Sequence, residues 1–174
     1  PFYPGPGLGG HCIPVDPHYL SWKLRTLNYQ ARLVELASEI NAAMPEHVVR
    51  LVTDALNERS KSVRDSRILV LGVAYKRDIN DVRESPALDI IRLLAARGAR
   101  VDYSDPHVPA LHDGFDPPLT SLDGVPDVCA DYDCVIVCTD HSGLDWTAVI
   151  DASPLMIDTR NVTRGRSDAH IVRL

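Results

Sequence analysis

Apolar residues recur along the chain first at helical and then at strand spacing. Leu20, Leu24, Leu27, Ala31 and Val34 are separated by four and three residues, and Leu33, Leu36, Ala37 and Ile40 widen the stripe. This periodicity predicts one long helix over residues 17–43, its broad apolar face suited first to a core and second to a subunit contact. Pro45 predicts a break, because the residue before proline avoids the α region. Helical spacing resumes over residues 46–59 through Val48, Val49, Val52, Ala55 and Leu56. Residues 57–66 are polar and charge-rich, which divides the chain into a first unit over 1–62 and a second over 63–174.

The second unit alternates strands with helices. Residues 67–73 form an apolar run suited to a strand buried on both faces. Ser85-Pro86 then marks a helix start, and that helix stops at Gly98. A second strand covers 100–104 and ends in Asp105-Pro106. Residues 107–128 hold four prolines and two glycines, which predicts mostly loop with one short helical piece. A third strand is expected over 132–139, a short helix over 146–151, and a fourth strand over 155–157. The tail beyond Arg160 carries no assigned element. The pattern is that of an α/β chain: a helical segment followed by a doubly wound parallel sheet. Ligands of such sheets bind beyond the carboxyl ends of the strands, here after Val73, Ser104, Cys138 and Ile157.

A formal charge of −6, with no run of Lys or Arg to offset it, argues against nucleic-acid binding but leaves room for a local anion site. No apolar run reaches the length of a membrane span. The four cysteines, Cys12, Cys129, Cys134 and Cys138, form no Cys-x-x-Cys pair. Zinc and a disulfide framework are therefore not expected, and a reducing, cytoplasmic setting fits. His107, His112, His141 and His170 show no metal-ligand spacing and suit the surface.

Two stretches carry chemistry. Within the first ten residues lie four glycines and three prolines, a composition for a shaped loop that can wrap a ligand with main-chain amides. Gly5, Gly7 and Gly10 fit G-x-G-x-x-G, but no strand precedes them and Pro14 follows, so the pattern is not a dinucleotide fingerprint. Cys12 comes next, followed by Asp16-Pro17 as a helix N-cap with proline at the first turn. Cys12 is either a small packing residue or a nucleophile activated by the helix N-terminus. The second stretch follows the first strand. There Lys76, Arg77 and Arg83 could hold an anion near the helix start at Ser85, and Tyr75 offers an apolar face for a base or sugar. Balanced by Asp78, Asp81 and Glu84, each cation alone reads as a solvated loop charge, but three together at the carboxyl end of a first strand point to a phosphate site. Arg160 follows the fourth strand and should lie near the exit of the first.

The run Tyr3-Pro-Gly-Pro-Gly-Leu-Gly-Gly-His-Cys-Ile-Pro-Val-Asp-Pro17 closely resembles the active-site loop of the nucleotide-sugar dehydrogenases, the UDP-glucose/GDP-mannose dehydrogenase family. Its wording from His11 is most similar to the branch that oxidises UDP-N-acetylhexosamines. The stretch around Tyr75 and Lys76 resembles the family's Rossmann-like UDP-binding domain. The resemblance implies that Tyr3, Pro4, Gly5, Pro6, Gly7, Leu8 and Gly9 line the UDP-sugar, with Tyr75, Lys76 and Arg160 in contact with it. It implies Cys12 as nucleophile and Asp16 as its acid–base companion. Cys12, Ile13, Pro14 and Val15 would approach the nicotinamide of NAD, and Arg83 would reach the same cofactor.

On this resemblance the chain is the carboxyl-terminal part of a longer enzyme. The family's amino-terminal NAD-binding domain and half of its central domain would lie outside it. Residues 1–62 would then belong to the central, dimerising domain and 63–174 to the UDP-binding domain. The implied reaction is oxidation of a sugar C6 alcohol to the acid with two NAD. UDP-N-acetylglucosamine is the first choice of substrate, ahead of UDP-N-acetylmannosamine, UDP-glucose and GDP-mannose. Two alternatives are a UDP-sugar-binding and association module without catalysis, and a cysteine hydrolase using His11.

Overall fold

Five parallel strands carry the architecture of this computed structural model, which describes residues 3–174. Pro1 and Phe2, with which the glycine-rich loop begins, lie outside the described residues. The strands are β1 (Arg67–Leu71), β2 (Arg100–Ser104), β5 (Cys134–Val137), β6 (Met156–Asp158) and β7 (Ile171–Arg173), in spatial order β2-β1-β5-β6-β7. Between β2 and β5 a short antiparallel ribbon forms from β3 (Ala110–Leu111) and β4 (Leu119–Thr120), followed by a 3₁₀ turn over Asp127–Asp131. The expected loop thus holds a ribbon as well as the short helical piece.

Alternation along the strands sends successive side chains into two cores. Ile68, Val70, Cys134, Ile136 and Ile157 face α2 (Arg32–Glu58) and α3 (Pro86–Ala96). Leu69, Leu71, Val135, Val137 and Met156 face α4 (Trp146–Ala152) and Tyr132. Ser85 is the N-cap of α3 and Pro86 its first residue, as the sequence indicates, although no side-chain capping bond forms. Asp145 caps α4, its carboxylate accepting from the Ala148 amide.

The helical segment departs from expectation at both ends. One helix over 17–43 is replaced by α1 (Asp16–Arg25) and the much longer α2. Asn28 takes the left-handed conformation (φ 57), the Tyr29 amide donates to the Leu24 carbonyl at 3.0 Å, and the Asn28 amide donates to the Arg25 carbonyl at 3.1 Å. That is a Schellman closure with asparagine in the glycine position. Pro45, conversely, sits inside α2 and does not end it. A mid-helix proline costs about 3 kcal/mol. Val48, Val49, Val52 and Leu56 beyond it are all fully buried, each worth roughly 1.5–3 kcal/mol, so packing wins. Ahead of Pro45 the apolar stripe is open in this chain: Leu33 is 82% exposed, Leu36 51% and Ile40 54%. A core role for that half is not what the fold shows.

The tail adds β7, parallel to β6, where no element was expected. Three residues are too few to show a period. Arg173 fixes the tail by donating to the Thr163 hydroxyl and carbonyl, both at 2.9 Å.

At the carboxyl end of the sheet one carboxylate ties the strand exits together. Asp105, just after β2, is buried and accepts from the amides of Val73 (2.7 Å), Ala74 (3.0 Å) and His107 (2.8 Å). Its fourth partner is the His141 Nε2, at 3.0 Å. His141, expected at the surface, is fully buried there. Burial alone would raise the Asp105 carboxyl pKa, but the bonds from His141 and the three amides hold it below the ordinary carboxylate value.

Asp105→Ala should therefore cost about 3–5 kcal/mol of stability in chemical denaturation, since it strands several buried donors. The native contribution is fully present above the unfolded value of about 3.9 and is lost as pH falls through the lower folded value.

Candidate functional site

The glycine-rich loop lies across the carboxyl end of the sheet. Its glycines are needed for approach to the protein's own atoms as much as to any ligand. A Cβ at Gly9 would sit 2.6 Å from the Tyr75 Cβ and 2.7 Å from the Glu84 carbonyl oxygen. At Gly10 (φ 96) it would meet the Tyr75 ring at 2.9 Å, and the Gly10 amide donates to the Arg83 carbonyl at 2.9 Å. At its other end the loop crosses Arg160, whose Nη1 would lie 2.7 Å from a Cβ on Gly5. Tyr3, Pro4, Gly5, Pro6, Gly7, Leu8 and Gly9 thus run from the β6 exit to the β1 exit. The Tyr75 ring serves as the seat of Gly10, so its expected role as an open platform is shared with loop packing.

Arg160 anchors the β6 side. Its Nε donates to the Cys138 carbonyl at 2.7 Å, and its amide donates to Asp158 Oδ1 at 2.9 Å. No carboxylate neutralises it among the described residues. Asp158 is occupied by the amides of Arg160, Val162 and Thr163 and by the Thr163 hydroxyl. Asp140 is occupied by Arg77. Burial pulls the Arg160 pKa down from its ordinary value, yet guanidinium remains a cation at any working pH. It borders a cleft of about 590 Å³, also lined by Tyr3, Pro4, Trp146, Asn161 and Arg164. A second hollow of about 510 Å³ shares Tyr3 and Pro4 and reaches Ile13 and Ile40.

Three cations were read together after β1, and the structure separates them. Arg77 pairs with Asp140. Arg83 donates from Nε to both Asp81 oxygens at 3.0 Å. That bond raises the Arg83 pKa first, with Asp81, Tyr75 and Cys12 adding to the field. Lys76 is exposed and makes no ion pair among the described residues, which leaves it the cation available to a ligand.

Cys12 is set apart from the other cysteines. Cys129, Cys134 and Cys138 are buried, and burial raises their thiols, that of Cys138 to about 12. Cys12 is exposed, with Sγ 3.9 Å from the His11 Nδ1. Its carbonyl accepts from the amides of Val15 (3.1 Å) and Asp16 (2.8 Å), a turn that leads directly into α1. Asp16 is not the N-cap: Val15 holds that position, and Asp16 is the first helical residue. Its carboxylate is exposed, as are Ile13 and Val15, while Pro14 is partly covered.

Asp78, His107 and His141 gather their ligand atoms within 4.8 Å, a grouping that sequence spacing does not reveal. Both His141 nitrogens are already engaged, Nδ1 by the Asp78 amide and Nε2 by Asp105, each at 3.0 Å. The Asp78 carboxylate accepts from the Ser142 amide and hydroxyl. As folded, two of the three residues, Asp78 and His141, are committed to the protein. Sequence reading also missed Trp146, which the start of α4 brings to the cleft, and Arg164, which the β6–β7 connection brings there.

Residues 69–165 match the family model for the UDP-binding domain of the UDP-glucose/GDP-mannose dehydrogenases, and residues 1–43 match the model for their central domain. A UDP-N-acetyl-D-mannosamine dehydrogenase of Methanococcus maripaludis is 37% identical over 91% of this chain and 36% of its own length. A UDP-N-acetyl-D-glucosamine 6-dehydrogenase of Pseudomonas aeruginosa is 34% identical over 82% of this chain and 33% of its own length. The solved UDP-D-ManNAc dehydrogenase of Pyrococcus horikoshii superposes with a TM-score of 0.82 at 28% identity, covering 99% of this chain and 40% of that one. The chain therefore spans little more than a third of such relatives. No helix among the described residues is long and apolar enough to cross a membrane. With more than half of its length matched by the UDP-binding model, the chain belongs to the UDP-glucose/GDP-mannose dehydrogenase family.

Proposed function

We propose that this chain forms the UDP-sugar half of an active site that oxidises the C6 alcohol of a UDP-N-acetylhexosamine to the acid. The observation that carries this reading is Arg160, a half-buried guanidinium without a carboxylate partner among the described residues, at the mouth of a cleft bordered by the glycine-rich loop. Such a cation suits a pyrophosphate, which accepts charge-assisted bonds in pairs. Lys76 adds a second charge from the β1 exit. Residues 3–9 supply the wall that closes over the sugar-nucleotide. The names of the relatives support N-acetylglucosamine or N-acetylmannosamine as the sugar.

Cys12 is the nucleophile in this reading, as the one exposed thiol among the four cysteines. The thiol adds to the C6 aldehyde, forming a C–S bond while a proton passes to the new hydroxyl oxygen. After oxidation to the thioester, water attacks the acyl carbon, the C–S bond breaks and the thiol is restored. Asp16, exposed and not used as a cap, is the candidate to carry protons in these steps. NAD, when bound, supplies the hydride acceptor for the two oxidations. The residues present fit one edge of it: Ile13, Pro14 and Val15 beside Cys12, and the exposed Arg83. Residues 1–62 take the central-domain role and 63–174 the UDP-binding role. The open apolar stripe on α1 and α2 supports a homodimer or a contact with the rest of the protein, and the unpaired cysteines fit a cytoplasmic setting.

Calorimetric titration with UDP tests the binding half. Saturable binding is expected, weakened roughly 10- to 100-fold by Lys76→Ala, the loss of one charge-assisted bond. Unchanged affinity in that variant removes Lys76 from the site. In the complete protein, Cys12→Ser should abolish formation of the uronic acid, and normal acid production by that variant would contradict the covalent route.

A further inference from the structure

The segment that presents Lys76 is held at both ends by one buried pair. On its amino side, Asp105 Oδ2 accepts from the Val73 and Ala74 amides, and the Thr139 hydroxyl donates to the Ala74 carbonyl at 2.6 Å. On its carboxyl side, the Asp78 amide donates to His141 Nδ1. His141 Nε2 returns to the same Asp105 oxygen. Tyr75, Lys76 and Arg77 are the residues between the two clamps. Asp78 stands in the left-handed region (φ 60), which aspartate tolerates better than most residues.

The partners dictate the proton on His141. Nε2 faces a carboxylate and donates, while Nδ1 faces an amide N–H and must accept, so the ring is neutral in this arrangement. A proton on Nδ1 would set donor against donor. The Asp78 Oδ1, 3.7 Å from Nδ1, is the nearest acceptor to replace the amide. To reach it, Asp78 would release Ser142 N and Oγ, which its carboxylate now holds at 2.9 and 2.8 Å. The other charged groups facing the ring are Asp105 and, when protonated, His107, whose ring centroid is 4.8 Å away. The Arg77–Asp140 pair flanks them.

We propose that His141 is a positioning residue for Tyr75 and Lys76, and that its proton occupancy switches the β1-exit loop between a ligand-ready and a relaxed form. This rests on the reading that Lys76 meets the UDP-sugar. The ready form needs Nδ1 bare to accept the Asp78 amide, so it is lost whenever that nitrogen takes up a proton.

NMR of this chain, titrated from about pH 8 to about pH 5, tests the switch without ligand. The Asp78 and Ser142 amide signals should move with the same midpoint as the His141 ring nitrogens. UDP-N-acetylglucosamine, whose pyrophosphate diester does not titrate in this window, should then bind roughly 10-fold more weakly at the acid end, one charge-assisted contact being lost. His141→Gln should flatten that pH dependence, and His107→Gln should leave it in place. Asp78 and Ser142 signals that ignore the His141 titration overturn the proposal, as does equal affinity at both ends. No binding at about pH 8 would instead sink the functional reading and the ligand role with it, while the ligand-free titration would still decide whether His141 controls Asp78.

Discussion

A single buried carboxylate, Asp105, sets the geometry on which the candidate site depends. Parallel strands end with amides pointing beyond the sheet, and a buried amide without a partner is costly. Asp105 gathers two such amides after β1 and one from its own loop, and it fixes the His141 ring after β5. The exits of β1, β2 and β5 are thereby held as one surface. Gly72 (φ 78) makes that closure possible, since a Cβ there would lie 2.4 Å from the Thr139 carbonyl oxygen.

The glycine-rich loop is laid across this surface, fixed by contact at two points. Gly9 and Gly10 settle on Tyr75 and Glu84, and Gly5 settles on Arg160. At the Arg160 end, Tyr3 and Pro4 border a cleft that Arg77, Arg160, Arg164 and Arg173 line against Asp140 and Asp158, a local balance that differs from that of the chain as a whole. The protein carries a net −6, yet Arg160 in that cleft, and separately Lys76 at the β1 exit, make no ion pair among the described residues. Local pairing, not net charge, decides what an anionic ligand encounters. Cys12 lies beyond the Gly10 anchor on the turn into α1, so docking of the loop also places the thiol.

Much of this was legible in the sequence because the signals are local. Buried parallel strands read as apolar runs, and Ser85-Pro86 read correctly as a helix start. The loop from Tyr3 to Asp16 announced itself by composition and by its resemblance to the family. What escaped depends on contacts between distant residues. Pro45 is tolerated because the sheet buries the helix beyond it, and Asn28 ends α1 in the left-handed conformation that asparagine shares with glycine, a stop signal masked by the apolar stripe running past it. β7 exists because β6 offers a free edge to three residues. His141 looked like a surface histidine because Asp105 and Asp78, its partners, are 36 and 63 residues away. The three cations after β1 looked equivalent until Asp81 and Asp140 were seen to claim two of them.

The central claim is that the loop, the β1 exit and the β6 exit form one nucleotide-sugar surface. Hydrogen exchange of this chain with and without UDP tests it most directly. The account predicts that protection rises together in three segments: residues 3–10, residues 75–78 and residues 158–160. Protection confined to one of them, or appearing only on the open face of α1 and α2, would contradict it.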